Sequence, residues 1–167
     1  MGRKDTGKNF ENEIRRSLKG SKHIWWFRIQ DTNDINRFVK IAVAEKQPAD
    51  FFSVYRGRPI MLEAKTSRNL TSFPLYYSST PAIAKHQISA GLKLERMGGI
   101  SLILIRREEF RNKKCYAISA QQAKDLYRNK NNKKSIKWSW FDENAYIVDR
   151  LKAPLRWNLH KLYEQVI

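Results

Sequence analysis

Apolar residues recur every four positions in the stretch GKNFENEIRRSLKG, at Phe10, Ile14 and Leu18, and Gly20 closes it. That spacing predicts an amphipathic helix with one buried face. Glu11 stands beside the apolar stripe, and Glu13 is expected to point to solvent. The period then changes. HIWWFRI, residues 23–29, is β-branched and aromatic and reads as a strand. Residues 31–47 mix polar and apolar positions without a clear period and read as an extension or loop. DFFSVY, RGRP and IMLEAK follow as strand, turn and strand, a hairpin. TSRNLTSFPLYYSST has the Ser, Thr and Pro of a loop, and Thr80 and Pro81 are expected to open a helix that runs to about Met97 and stops at Gly98-Gly99. Ala84, Ile88 and Leu92 form its buried stripe.

The run ISLILI is apolar at every position, as suits a central strand covered on both faces. KCYAIS reads as a further strand, with Ser119 capping a short helix AQQAKDLYR. RNKNNKKSIK, residues 128–137, reads as a basic loop, either touching phosphate or merely solvated. In PLRWNLHKLYEQVI, the residues Leu155, Leu159, Leu162 and Val166 share one helical face, suited to the core or to a dimer contact.

Composition narrows the class. A chain of 167 residues is the size of one compact domain, and 41% hydrophobic with 29% charged residues exclude a disordered tail. No internal repeat is visible. A lone cysteine, Cys115, excludes an intrachain disulfide and a multi-cysteine zinc site and points to a reducing compartment. The charged start has no apolar stretch suited to a signal peptide, and no segment reaches the length of a membrane span. A cytoplasmic protein without a membrane partner is expected. Charge is the unusual quantity: 33 Lys and Arg against 16 Asp and Glu leave a net of +17, which implies a polyanion as partner, and nucleic acid is the commonest.

Against that background the acids of PADFFSVYRGRPIMLEAKTS are conspicuous. A turn centred near Gly57 places Asp50 across from residue 64 or 65, and alternation along the second strand sends Glu63 and Lys65 to one face. Two neighbouring carboxylates repel, and one lysine does not balance them, so a cation between them is the simplest relief. A hard divalent ion fits carboxylate oxygens, with Mg²⁺ the first choice and Mn²⁺ an equal fit. Such an ion acidifies its water and offsets charge on a phosphate, while Lys65 can orient or deprotonate that water. Glu11 can lean over the sheet edge as a third ligand, and the Gln87 amide can hold water or phosphate. The same residues also fit ordinary surface ion pairs on a half-exposed hairpin, and His86 is not read as a ligand.

The order helix-Glu, Asp, ExK and helix-Gln resembles the PD-(D/E)XK nuclease superfamily. More narrowly, QPADFFSVYRGRPIMLEAKTS, TSFPL, HQ and GGISLILIR resemble the RecU-type Holliday junction resolvases over roughly Asp31 to Tyr127. The resemblance implies a restriction-endonuclease-like α/β fold with a central mixed sheet flanked by helices, a homodimer, and Mg²⁺-dependent cutting of four-way DNA junctions. It makes Asp50 and Glu63 the metal-binding acids, Lys65 the catalytic lysine, Gln87 the glutamine of the site and Glu11 the helix glutamate and third metal ligand. Residues 31–47 then occupy the place of a projecting stalk, with Arg37, Lys40 and Lys46 facing DNA. The superfamily's Pro-Asp is here Pro48-Ala49-Asp50, any longer arm ahead of the first helix is expected to be absent, and residues 128–167 read as a C-terminal addition to a single nuclease domain spanning 1–167. Trp25, Trp26, Tyr76 and Tyr77 are candidates for contact with unstacked bases, core packing being the preferred reading. A junction resolvase, a duplex-cutting nuclease of the same fold and a non-catalytic DNA-binding module are the three readings these residues allow.

Overall fold

The computed structural model describes residues 6–29, 46–109, 113–128, 134–152 and 156–167. The extension read over 31–47 lies outside them except for its last two residues, and so does Leu155. Phe10, Ile14 and Leu18 form the buried face of α1 (Thr6–Lys19). Glu13 shares that face and is not a surface residue: it is 5% exposed and ion-paired with Arg106, and it accepts a hydrogen bond from Trp157 Nε1 at 3.1 Å. The helical period explains the difference, because a residue three positions after Phe10 falls over the same stripe.

Strands β1 (Trp25–Arg28), β2 (Phe51–Tyr55) and β3 (Arg58–Ser67) come next. The β2–β3 hairpin turns on Arg56 and Gly57 alone, with φ of 49° and 76°. Two consecutive positive values are the signature of a two-residue type I′ turn, so Arg58 and Pro59, expected in the turn, belong to the strand. Phe51 therefore pairs with Leu62, and Asp50 follows opposite Glu63 rather than opposite 64 or 65.

The stretch expected to be a loop contains three short strands: β4 (Ser72–Pro74), β5 (Tyr76–Tyr77) and β6 (Thr80–Pro81). Thr80 and Pro81 pair with Tyr77 and Tyr76 and do not open a helix. The helix, α2 (Lys85–Arg96), starts where Gln87 Oε1 accepts the Ala84 N–H at 3.0 Å, half of a capping box that outcompetes the proline signal. Ile88 is buried on it and Leu92 packs against the core, as the stripe predicts.

Next come β7 (Ile100–Arg107), β8 (Lys114–Ser119) and α3 (Ala120–Arg128), which Ser119 caps by accepting the Gln122 N–H at 3.0 Å. Part of the expected basic loop is a strand, β9 (Ser135–Lys137), paired with β4. The chain ends in α4 (Trp138–Asn144), β10 (Tyr146–Ile147), β11 (Arg150–Leu151), β12 (Arg156–Trp157) and α5 (Leu159–Val166). Leu159 and Leu162 are buried and Val166 packs against the same core.

The six-stranded sheet has the order β1-β2-β3-β7-β8-β10 and is mixed, since β3 and β7 run parallel and the other neighbours antiparallel. Helix α2 makes the crossover between the parallel pair. Alternation along β7 explains why its first seven residues are all buried: Leu102 and Leu104 face the core of α1, α5 and Trp157, while Ile103 and Ile105 face the core of α2, α3 and Phe141. The fold is thus α/β, a central mixed sheet flanked by helices. No helix among the described residues is long and apolar enough to cross a membrane.

Candidate active site

Asp50 stands just ahead of β2, locked by its own backbone: its N–H donates to Leu62 O at 3.1 Å and its carbonyl accepts the Ile29 N–H at 2.9 Å. Its side chain turns back across the hairpin, where Oδ2 accepts the Ala64 N–H at 2.8 Å. Glu63 sits mid-strand, 5% exposed, and Lys65, two residues on and therefore on the same face, places Nζ 2.9 Å from Glu63 Oε1. The other oxygen, Oε2, is buried with no hydrogen-bond partner.

Electrostatics shows the tension of this pair. Burial and the charge of Glu63 push the Asp50 carboxyl up to about 6, against the opposing pull of the Ala64 N–H, Lys65 and Arg28. Burial likewise raises Glu63, with the charge and hydrogen bond of Lys65 and a hydrogen bond from Gln87 pulling it down and the charge of Glu11 adding to the rise. Gln87 is free to help because its Oε1 is committed to the Ala84 cap, which turns the amide nitrogen toward Glu63.

Glu11 is placed differently from the other acids. It is held by Arg28 at 2.6 Å, near enough for its charge to be felt at Glu63. Among the described residues no group of three His, Cys, Asp or Glu side chains comes together closely enough to hold a metal ion. The donors brought together are two, Asp50 and Glu63. The buried orphan oxygen of Glu63 and the neighbouring Asp50 carboxylate of raised pKa fit a hard divalent cation with oxygen ligands and retained waters.

Sequence reasoning missed Arg28, which faces both Asp50 and Glu11; its signal is the pairing of β1 with β2, where Arg28 lies opposite Phe51. The aromatic expectation holds only in part. Trp26 and Tyr76 are partly buried against the cores, but Trp25 is 62% and Tyr77 53% exposed. Cys115 is buried and unpaired, its thiol pushed up by burial.

The sheet order, its parallel centre and the acids at the head of its hairpin define a restriction-endonuclease-like fold. Consistent with this, the structure of Hjc from Archaeoglobus fulgidus, a Holliday junction resolvase from an archaeal hyperthermophile, aligns over 84% of this chain and 95% of its own with a TM-score of 0.50 and 12% identity. A family model for RecU, recombination protein U, matches residues 7–162, and the chain belongs to that family. The match runs through most of the stretch read as a C-terminal addition. Relatives described as Holliday junction resolvase RecU include those of Shouchella clausii, 38% identical over 66% of this chain, and Bacillus subtilis, 29% identical over 66%. A third, from Pediococcus pentosaceus, is 32% identical over 64%. The chain spans about half the length of the curated relatives it matches, 47% to 50% in these three.

Proposed function

We propose that residues 1–167 act as one nuclease domain that resolves four-way DNA junctions by hydrolysing phosphodiester bonds in paired, symmetric cuts. The observation that carries this is the pairing of half-buried Asp50 with buried Glu63, whose Oε2 is unpartnered and which has Lys65 beside it. Family membership and the names of the relatives support the junction as substrate. The net charge of +17 supports a DNA backbone as partner.

Asp50 and Glu63 would hold a divalent ion, Mg²⁺ first and Mn²⁺ in its place, and Glu11, now paired with Arg28, would be the third ligand. The ion supplies charge compensation at the phosphate and an acidified water. The protein's own groups do the rest. The Ala64 N–H fixes one Asp50 oxygen and so aims the other. Lys65, tethered to Glu63 as a cation, orients the attacking water and stabilises the charge that grows on the phosphate. Gln87 positions that water from the first turn of α2. Two copies related by a two-fold axis present two such sites to opposing strands. The enzyme works in the cytoplasm, where the DNA of its cell lies.

The test uses a synthetic four-way junction beside a linear duplex of the same sequence, with and without Mg²⁺, and a Glu63→Gln variant. The parent chain is expected to nick the junction near its crossover only with the metal, and the variant to bind without cutting, slower by about a thousandfold or more. Equal cutting of both DNAs moves the reading to a general duplex nuclease. A variant as fast as the parent removes Glu63 from the site.

A further inference from the structure

A cavity of about 550 Å³ opens beside α2, between the β5–β6 hairpin and α3. Its size is that of a small-molecule site. Tyr76, Tyr127, Ile83 and Ile88 supply apolar walls, and Lys85 and Lys124 bring charge; among the described residues no acid lines it. The wall is already rigid. The Tyr127 hydroxyl donates to Leu75 O at 2.9 Å and accepts the Ile83 N–H at 3.0 Å, so only its ring surface remains for a ligand. Tyr76 meets that ring edge-on, with centroids 5.7 Å apart.

Both sides of the cavity are fastened to the candidate active site. Gln87, whose amide reaches Glu63, lies between Lys85 and Ile88 in the first turn of α2, so the helix shows one face to the acids and the next to the cavity. Across from it, the Tyr77 hydroxyl donates to Thr66 O at 3.4 Å, one residue after Lys65. A ligand that is flat and apolar in its body and anionic at its edge suits such a slot, and a nucleotide in a strand led past Asp50 and Glu63 has that form.

We propose that this cavity receives one base of the cut strand, turned out beside the scissile phosphate, with Lys85 and Lys124 on the flanking phosphates; the idea rests on reading the chain as a DNA-cutting enzyme. Stacking against aromatic faces tolerates any base, and turning a base out costs least where it is already unpaired, as at a branch point. The cavity then contributes to choosing the place of the cut.

The test is photocrosslinking without metal. A short single-stranded oligonucleotide carrying one 5-iododeoxyuridine, and a junction carrying it at successive positions across the branch, are irradiated with the protein and the attachment point is mapped by mass spectrometry. Attachment to Tyr76 is expected from one position of the junction. Its yield should fall by about tenfold or more, the scale of one lost stacked base, in Ser89→Trp, which fills the cavity from an exposed helix position. Lys85→Ala combined with Lys124→Ala, both at exposed positions, reads the same question if the tryptophan variant unfolds. Attachment elsewhere, indifferent to these changes, overturns the proposal and leaves the cutting assay untouched. Attachment at Tyr76 in a protein that never cuts keeps the pocket and ends the nuclease reading.

Discussion

At Asp50 the folded chain holds a carboxyl at about 6 that would ionise near 3.8 when free, because burial and Glu63 both oppose its charge. The sign of its effect on stability follows from linkage. The folded state binds a proton that the unfolded state has released, so this group's contribution is full below 3.8 and is lost as pH rises through about 6. A divalent ion between the two acids reverses the preference, since it favours the ionised form. The metal-free protein should therefore lose melting temperature as pH rises through about 6, and Mg²⁺ should restore a few degrees only above that value. Thermal melts with and without the ion, across this pH range, check both halves. Asp50→Asn should flatten the slope and abolish the gain. A metal-independent melt at all pH values would remove Asp50 and Glu63 as ligands.

Helix α2 brings Gln87 to Glu63 only because it lies close to the sheet and to α3, and Gly91 is what permits the approach. A Cβ there would press on the side chains of Ser101 and Ala120, the latter at 2.7 Å. Gly91→Ala should cost about 1–3 kcal/mol of stability, as overpacking does, despite the better helix propensity of alanine. Because the helix must shift, cutting should fall more than DNA binding, which denaturant melts and cleavage rates on a junction separate. A glycine inside an otherwise helical pattern is a visible signal of such a contact, though it does not say against what. That distinction separates what the chain reveals from what it hides. The α1 stripe, the hairpin carrying Asp50, Glu63 and Lys65, and ISLILI were legible because their determinants lie within a few residues of one another. The pairing of Ser72 with Lys137, the burial of Glu13 against Arg106, and the contact of Arg28 with Asp50 were not, since each depends on a partner brought from far along the chain. The register missed by one or two residues because the tightness of the Arg56-Gly57 turn appears only in its φ values.

For the molecule as a whole, a surplus of 17 positive charges guarantees attraction to any DNA backbone and selects none. On the proposed reading selectivity comes from geometry: two sites in a two-fold relation would be set to the spacing and angle of the exchanging strands of a four-way junction, which a linear duplex, although locally two-fold itself, does not present. The consequence is kinetic and can be read on a supercoiled plasmid that extrudes a cruciform. The first nick releases the supercoiling that holds the branches out, and the cruciform is reabsorbed unless a second cut follows at once. Two sites acting within the lifetime of one complex convert the plasmid directly to linear product, with little nicked circle. A single site, or two that visit independently, leaves nicked circle as the end point. Mixing parent chains with an excess of Glu63→Gln chains supplies the internal control, because a dimer with one dead site should shift the product from linear to nicked circle. Linear product that persists undiminished in that mixture would mean that each chain makes both cuts alone, and the two-fold arrangement would have to be abandoned.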